Sequence, residues 1–178
     1  MLEGKPVPAK FLIVAVALAA TSTGSVAQDK PSVNDGVIQQ NTISLMLSNS
    51  LASAALDACS AIGQRAVVAI IDRGGNLVAL QRGDNVGPHN TIAAQRKAFT
   101  ALSTKSVTAD LTEKARNDPA SQNLNTVSEL LLLGGGVPIV VDGEVIGAVG
   151  VAGAGGSAND ESCAKQGVEK ALTGLGPK

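Results

Sequence analysis

Apolar and polar residues alternate along the first half of the chain in patterns that predict a helix followed by a β-hairpin. Apolar residues recur every three or four positions over Asn41–Ile62, which predicts a helix. The continuous apolar run Ala66–Ile71 predicts a buried strand. Gly74 and Gly75 then provide the backbone freedom for a tight turn, so that Leu77–Gln81 is predicted to return as a second strand.

The second half of the chain contains the clearest hairpin signal. Asp142-Gly143 separates the β-branched run Pro138–Val141 from Glu144–Val151, and Asp-Gly favours a type I′ turn. Ser157 is expected to cap the last helix. Three further helices are predicted, over residues 90–103, 108–116 and 157–172. Because hairpins pair antiparallel, the sequence predicts an α+β fold with a central antiparallel sheet built from two hairpins, on which the helices pack.

The N-terminal residues are typical of an export signal. Lys5 and Lys10 precede the apolar run Phe11–Ala20, which is too short to span a bilayer as a helix. Ser25-Val26-Ala27 has the small-x-small pattern of a signal-peptidase site. We therefore expect a signal peptide over residues 1–27, a polar linker over 28–40 and a single domain over 41–175. The mature protein is expected to be exported, periplasmic or secreted, and not inserted in the membrane.

Composition excludes several classes of function. The 178 residues carry a formal net charge of −1, which argues against a nucleic-acid partner. One His and two Cys exclude a multi-histidine metal centre and a four-thiolate zinc site. Export would place Cys59 and Cys163 in an oxidising compartment, where they are candidates for a disulfide. Two buried free thiols remain the alternative.

The segment from Gln81 to Thr100 carries the candidate chemistry. If a helix begins near His89, then His89, Arg96 and Thr100 fall on one stripe, flanked by Lys97. Ile92, Phe99 and Leu102 form the adjacent stripe, which is expected to face the core. An imidazole beside cations suits an anionic ligand or a metallo-cofactor, since imidazole binds iron and cations bind carboxylates. A solvated helix face is the other interpretation that this spacing allows.

Several segments together resemble the GlcG/HbpS family of small haem-binding proteins. The resemblance covers residues 41–172 and rests on six segments in order: Val68–Val78, Pro88–Thr91, Arg96–Ala101, Gly134–Pro138, Gly143–Val151 and Asp160–Ala164. It implies an α+β fold, a homo-oligomer, and haem as the cofactor that is bound, sensed or degraded. Other members of the family accompany glycolate utilisation, which implies a small organic acid as an alternative ligand.

These observations lead to one hypothesis and two alternatives. The hypothesis is an exported protein that binds haem or a similar tetrapyrrole, and that is a binding protein rather than an enzyme. His89 ligates the iron, and Thr100 donates a hydrogen bond. The haem carboxylates pair with the cations Arg82, Arg96 and Lys97. Three glycines, Gly134, Gly135 and Gly136, let the backbone approach the ligand closely. The alternatives are an enzyme acting on a small organic acid, with His89 as general base, and a structural or signalling oligomer.

Overall fold

A computed structural model describes residues 36–174 together with Gly4. The predicted signal peptide, residues 1–27, lies outside the described residues except for Gly4. The predicted linker is described only from Gly36 onward. Residues 39–174 form one compact unit.

The helices and strands follow the predicted order with small changes at their ends. The helices are α1 (Leu45–Ala61), α2 (His89–Thr104), α3 (Thr108–Asn117) and α4 (Ser157–Thr173), and a short 3₁₀ helix over Gln122–Thr126 was not predicted. The strands are β1 (Val67–Asp72), β2 (Leu77–Arg82), β3 (Gly136–Val141) and β4 (Glu144–Ala152). The predicted start of the first helix at Asn41 is wrong, because Ser44 accepts a hydrogen bond from the amide of Leu47 and caps the helix there.

The predicted fold class is confirmed. The described strands form one four-stranded sheet in the order β2-β1-β4-β3, and every neighbouring pair is antiparallel. Two hairpins form the sheet, and their inner strands β1 and β4 pair with each other. Asp142 and Gly143 both have positive φ, 51° and 79°, as the predicted type I′ turn requires.

The sheet lies between two layers of helices. Val68 and Ile70 of β1 face one way, into a core shared with α1 and α4. Their neighbours Val67, Ala69 and Ile71 face the other way, against α2. This alternation is the two-residue period of a strand that is buried on both faces. No helix in the part of the chain that the structure describes is long and apolar enough to cross a bilayer.

Helix α2 lies unusually close to the sheet, because small residues meet at the contact. A Cβ atom on Gly150 would clash with the carbonyl oxygen of Ala94, and one on Gly136 would clash with that of Lys97. The apolar residues on the buried face of α2 are therefore Ala94, Ala98 and Ala101. The prediction that Ile92 faces the core is wrong, since Ile92 is 64% exposed.

Cys59 and Cys163 form a disulfide that joins α1 to α4. The two helices also pack closely at Gly167, where a Cβ atom would lie 2.7 Å from that of Ala55. Both cysteines are buried in the core on this side of the sheet. The covalent link and the close packing fix the helical layer opposite α2.

Candidate functional site

His89 is the first residue of α2, and its side chain is exposed. The imidazole folds back over Gly87, where a Cβ atom would lie 3.1 Å from Cε1 and 3.2 Å from Nδ1 of the ring. A residue with a side chain at position 87 would push the ring aside. Gly87 therefore allows the ring orientation that the structure has, with the imidazole accessible to solvent.

The predicted stripe of side chains forms on α2, but the loop over residues 128–131 covers its C-terminal half. Arg96 donates from Nη2 to the carbonyl oxygens of Ser128, at 2.7 Å, and Leu130, at 2.6 Å. Thr100 accepts from the amide of Leu131 at 2.8 Å and donates to the carbonyl of Arg96. The hypothesis places His89, Arg96 and Thr100 around one ligand. The structure separates them instead, because backbone from the loop covers Arg96 and Thr100 while His89 lies in solvent.

Thr108, which the sequence did not single out, holds the end of the same loop. Its hydroxyl accepts from the amide of Gly136 at 2.8 Å and donates to the carbonyl of Leu133 at 2.9 Å. Arg96, Thr100 and Thr108 thus bind the loop backbone at successive points. Together they satisfy the backbone groups with which the loop faces α2 and α3.

Lys97 does not face a ligand site. Its side chain is 1% exposed, and its ammonium donates to Oδ2 of Asp160 at 2.7 Å and to the carbonyl of Val151 at 3.0 Å. The other carboxylate oxygen of Asp160 accepts from the amide of Ala154 at 2.8 Å. The expectation that Lys97 pairs with a ligand carboxylate is wrong, because an internal carboxylate already holds the ammonium.

Asp160, the partner of Lys97, lies in the first turn of α4, where the sequence predicted a cap by Ser157. Helix α4 begins at Ser157, its N-cap is Gly156, and no side chain caps it. The expected cap by Ser157 is therefore wrong. Asp160 in the first turn bonds to Lys97 and Ala154 instead.

The three glycines before β3 serve packing in this structure. A Cβ atom on Gly135 would lie 2.8 Å from that of Asp160 and 3.0 Å from the ammonium of Lys97. One on Gly134 would lie 3.3 Å from Oε2 of Glu161, and one on Gly136 would clash with α2. All three glycines are buried, so their close approach is to the protein's own backbone and side chains.

Arg82 lies on the edge strand β2 and is exposed. Its guanidinium donates to the carbonyl oxygen of Val86, in the loop that leads to His89. Val67, its partner in the sheet, faces α2, so Arg82 belongs to the α2 side of the sheet. Among the predicted cations, Arg82 is exposed and Arg96 is half-buried, whereas Lys97 is fully buried.

A small cleft adjoins Arg96. It has a volume of about 280 Å³, and its walls include Leu77, Phe99 and Glu129. The Nε atom of Arg96 is buried without a hydrogen-bond partner among the described residues. A hydrogen bond from the hydroxyl of Ser128 holds the pKa of Glu129 below its ordinary value, so a carboxylate lies beside the guanidinium at neutral pH.

A larger cleft, which we call the turn cleft, lies on the other side of Phe99. Its volume is about 570 Å³, and it opens between the β1–β2 turn, the β3–β4 turn and the C-terminal end of α2. Phe99 and Leu102 line it, with Arg73, Lys105 and Glu144 among its polar residues. His89 lines neither cleft.

The described residues offer a metal only scattered side-chain ligands. No group of three or more His, Cys, Asp or Glu side chains within this part of the chain could hold a metal ion. The accessible imidazole of His89 is therefore the main candidate for a metal ligand among the described residues. A single side-chain ligand suits a metal whose other coordination positions are filled by a cofactor.

The fold and this surface define an α+β protein with a single accessible imidazole at the start of its central helix. The family model described as haem-degrading, HbpS-like protein matches residues 43–169. Because the match covers more than half of the chain, the protein belongs to the HbpS-like family, and the resemblance seen in the sequence is confirmed.

Individual relatives agree with the family match. Protein GlcG of Escherichia coli is 38% identical over 111 residues, which are 60% of this chain and 81% of GlcG. The crystal structure of a double mutant of Streptomyces reticuli HbpS is 31% identical, covers 82% of this chain and 98% of its own, and has a TM-score of 0.73. The crystal structure of a PduOC–haem complex is 24% identical, covers 72% and 94%, and has a TM-score of 0.66, a likeness of fold.

Proposed function

We propose that this protein binds haem on the exposed face of α2, with His89 as the iron ligand. The observation that carries the proposal is the accessible imidazole of His89, the one histidine of the chain, at the start of the helix. Imidazole is a common protein ligand of haem iron. The membership in a family described as haem-degrading supports this choice of ligand, as does the haem complex of the fold relative PduOC.

The donor set favours a metal held in a macrocycle over a bare ion. A porphyrin supplies four in-plane nitrogen donors, so a single imidazole completes a useful coordination shell. A bare transition-metal ion needs several protein ligands, usually three or four. The described residues do not gather such a set.

Arg96 is the proposed partner of a haem carboxylate. It lies seven residues after His89, about 10 Å along the same face of α2. Its unpaired Nε is an orphaned buried donor, which a carboxylate at the cleft would satisfy. Glu129 opposes this pairing, so replacing Glu129 with Gln is expected to strengthen haem binding.

Some of the other residues that were predicted to bind the ligand lie near the exposed face of α2, and the others are buried. Arg82 is the second proposed carboxylate partner, because it reaches the loop before His89. Ile92, exposed one turn after His89, offers apolar contact to a macrocycle. Lys97, Thr100 and the three glycines are left out of the proposed site, since their contacts are internal.

The helix face is open around His89 and Ile92, so the chain's residues would bind and orient the haem on one side of the ring. Bound iron would supply redox and oxygen chemistry. His89 would hold the iron through a ring nitrogen, and the arginines would fix the carboxylate edge. We propose that a second copy of the chain covers the other side, in a homo-oligomer.

We also propose that the protein is exported. The basic, apolar and small-residue order of residues 1–27 supports export, and the Cys59–Cys163 disulfide suits an oxidising compartment. Fractionation of expressing cells and mass spectrometry of the product test this proposal. A chain that begins at Gln28 in the exported fraction supports it, and an unprocessed cytosolic chain contradicts it.

A haem titration of the purified, untagged protein tests the binding proposal. We expect a saturable shift of the Soret band for the wild type and a weaker, altered band for His89→Ala. Asn117→Ala, at the exposed C-terminal end of α3, is the control and should resemble the wild type. Added imidazole should restore the wild-type band in the His89→Ala protein. An unshifted Soret band, or equal spectra for both variants, would contradict the proposal.

A further inference from the structure

The turn cleft lies at the opposite end of α2 from His89. Leu102 in its wall is thirteen residues after His89, which is about 20 Å along the helix. Its volume of about 570 Å³ is within the range of small-molecule sites. The cleft is therefore separate from the proposed iron ligand and large enough for a ligand of its own.

The floor of the turn cleft is apolar. Phe99 and Leu102 are half-buried there and pack against the core beside Ile71. Gly75 in the β1–β2 turn lies against the ring, where a Cβ atom would be 3.2 Å from Cε2 of Phe99. Because position 75 carries no side chain, the edge of the ring stays open to the cleft.

The rim of the turn cleft is cationic. Arg73 forms an exposed ion pair with Glu144 at 3.4 Å, and Asn41 also donates to that carboxylate, at 3.0 Å. Lys105 is exposed, and no carboxylate among the described residues lies within ion-pair distance of it. Among the residues that line the cleft, these two cations and one acid leave a net charge of +1.

Lys105 also holds a backbone conformation that disfavours lysine. It is the C-cap of α2, with φ 52° and ψ 32°, in the left-handed region where helices usually end with glycine. A lysine one residue earlier would complement the helix dipole without this strain. The cost of lysine at position 105 is explained if its ammonium is needed at the cleft.

We propose that the turn cleft binds a small organic acid with one carboxylate and a flat apolar body. The apolar body lies on Phe99 and Leu102, and the carboxylate pairs with Lys105 and Arg73. One carboxylate matches the single excess positive charge of the rim. Haem also carries carboxylates on a flat body, so the experiment has to separate the two ligands.

Calorimetric titration of the full chain with naphthoate tests the proposal. We expect saturable binding that Lys105→Gly weakens about fivefold, the upper effect of one exposed charge pair. Lys105→Gly should also raise the thermal midpoint, because glycine relieves the strained cap, so weaker binding cannot come from unfolding. Lys114→Gln, an exposed lysine on α3, is the control and should bind like the wild type.

Two further titrations separate this site from haem binding. Naphthamide, which has the same shape without the charge, should bind more weakly than naphthoate. Lys105→Gly should leave the haem titration unchanged, and His89→Ala should leave naphthoate binding unchanged. The proposal is overturned by the absence of naphthoate binding, by equal binding to Lys105→Gly, or by a Lys105→Gly effect on haem alone.

Discussion

The ammonium of Lys97 and the carboxylate of Asp160 form a 2.7 Å ion pair inside the protein, with the two side chains 1% and 6% exposed. The pair joins the middle of α2 to the first turn of α4. Since Asp160 also accepts from the amide of Ala154, one carboxylate fixes the loop between β4 and α4 as well. The ammonium of Lys97, which was predicted to pair with a ligand carboxylate, instead connects the two helical layers.

Replacing Lys97 with Met is expected to lower the free energy of unfolding by about 3–5 kcal/mol. The replacement leaves the buried carboxylate of Asp160 without its cation, and an uncompensated buried charge is costly. Urea unfolding of the wild type and the variant measures the difference.

Lys170→Met is the control for this prediction. Lys170 also pairs with a carboxylate, that of Asp57 at 3.2 Å, but the two side chains are 67% and 68% exposed. Its loss is expected to cost about 0.5 kcal/mol. If the two replacements lower the free energy of unfolding equally, the buried ion pair does not stabilise the protein more than an exposed one.

Thr108→Val is expected to destabilise the protein by about 1–3 kcal/mol. The change keeps the shape of the side chain but leaves the amide of Gly136 and the carbonyl of Leu133 without their partner. Thr112→Val is the control, because the hydroxyl of Thr112 bonds only to a carbonyl of its own helix. Thermal unfolding midpoints that fall equally for both variants would argue against the role of Thr108.

The secondary structure could be predicted from the sequence because its signals are local. The run Ala66–Ile71 and the pair Asp142-Gly143 each define their element within a few residues. The site could not be predicted in the same way, because the loop over residues 128–131 that covers Arg96 and Thr100 is distant in sequence. The spacing identified the stripe on α2 but could not show what covers it.

The burial of Lys97 did have a signal in the sequence. Ala94, Lys97, Ala98 and Ala101 are spaced three, one and three residues apart, which places all four on one helix face. Three alanines allow a helix to pack closely, and a lysine among them implies a buried acid nearby. Of the residues that were predicted to face the core, Ile92 is exposed, while Phe99 and Leu102 pack against the core beside Ala98 and Ala101.

Removing the disulfide is expected to cost about 2–5 kcal/mol of stability. Cys59 and Cys163 are separated by 104 residues, so the link restricts a long loop in the unfolded chain. The double variant Cys59→Ala, Cys163→Ala is compared with the wild type by urea unfolding without reductant. If the two proteins unfold at the same urea concentration, the disulfide does not contribute to the fold.

Acid is expected to weaken the β1–β2 turn through Asp72. Burial raises the pKa of this carboxyl, but hydrogen bonds from Asn76, Gly74 and Gly75 outweigh it and hold the pKa below the ordinary 3.8. The contribution to stability is therefore present above pH 3.8 and is lost as the pH falls through the lower folded value.

Unfolding midpoints measured against pH check this expectation. Asp72→Asn should be less stable than the wild type at neutral pH, and the difference should shrink as the pH falls below 3.8. Asn76→Ala removes the side-chain amide that donates to the carboxylate and should reduce the pH dependence. A difference that stays constant with pH would rule out the role of the carboxylate charge.

The most direct test of the haem proposal uses the fact that the chain contains one histidine. Untagged protein in which only histidine is labelled with nitrogen-15 is loaded with ferric haem, and electron–nuclear double resonance is recorded. Our account predicts a nitrogen-15 coupling to the iron, which can come only from His89. A spectrum with porphyrin nitrogen couplings alone would contradict it.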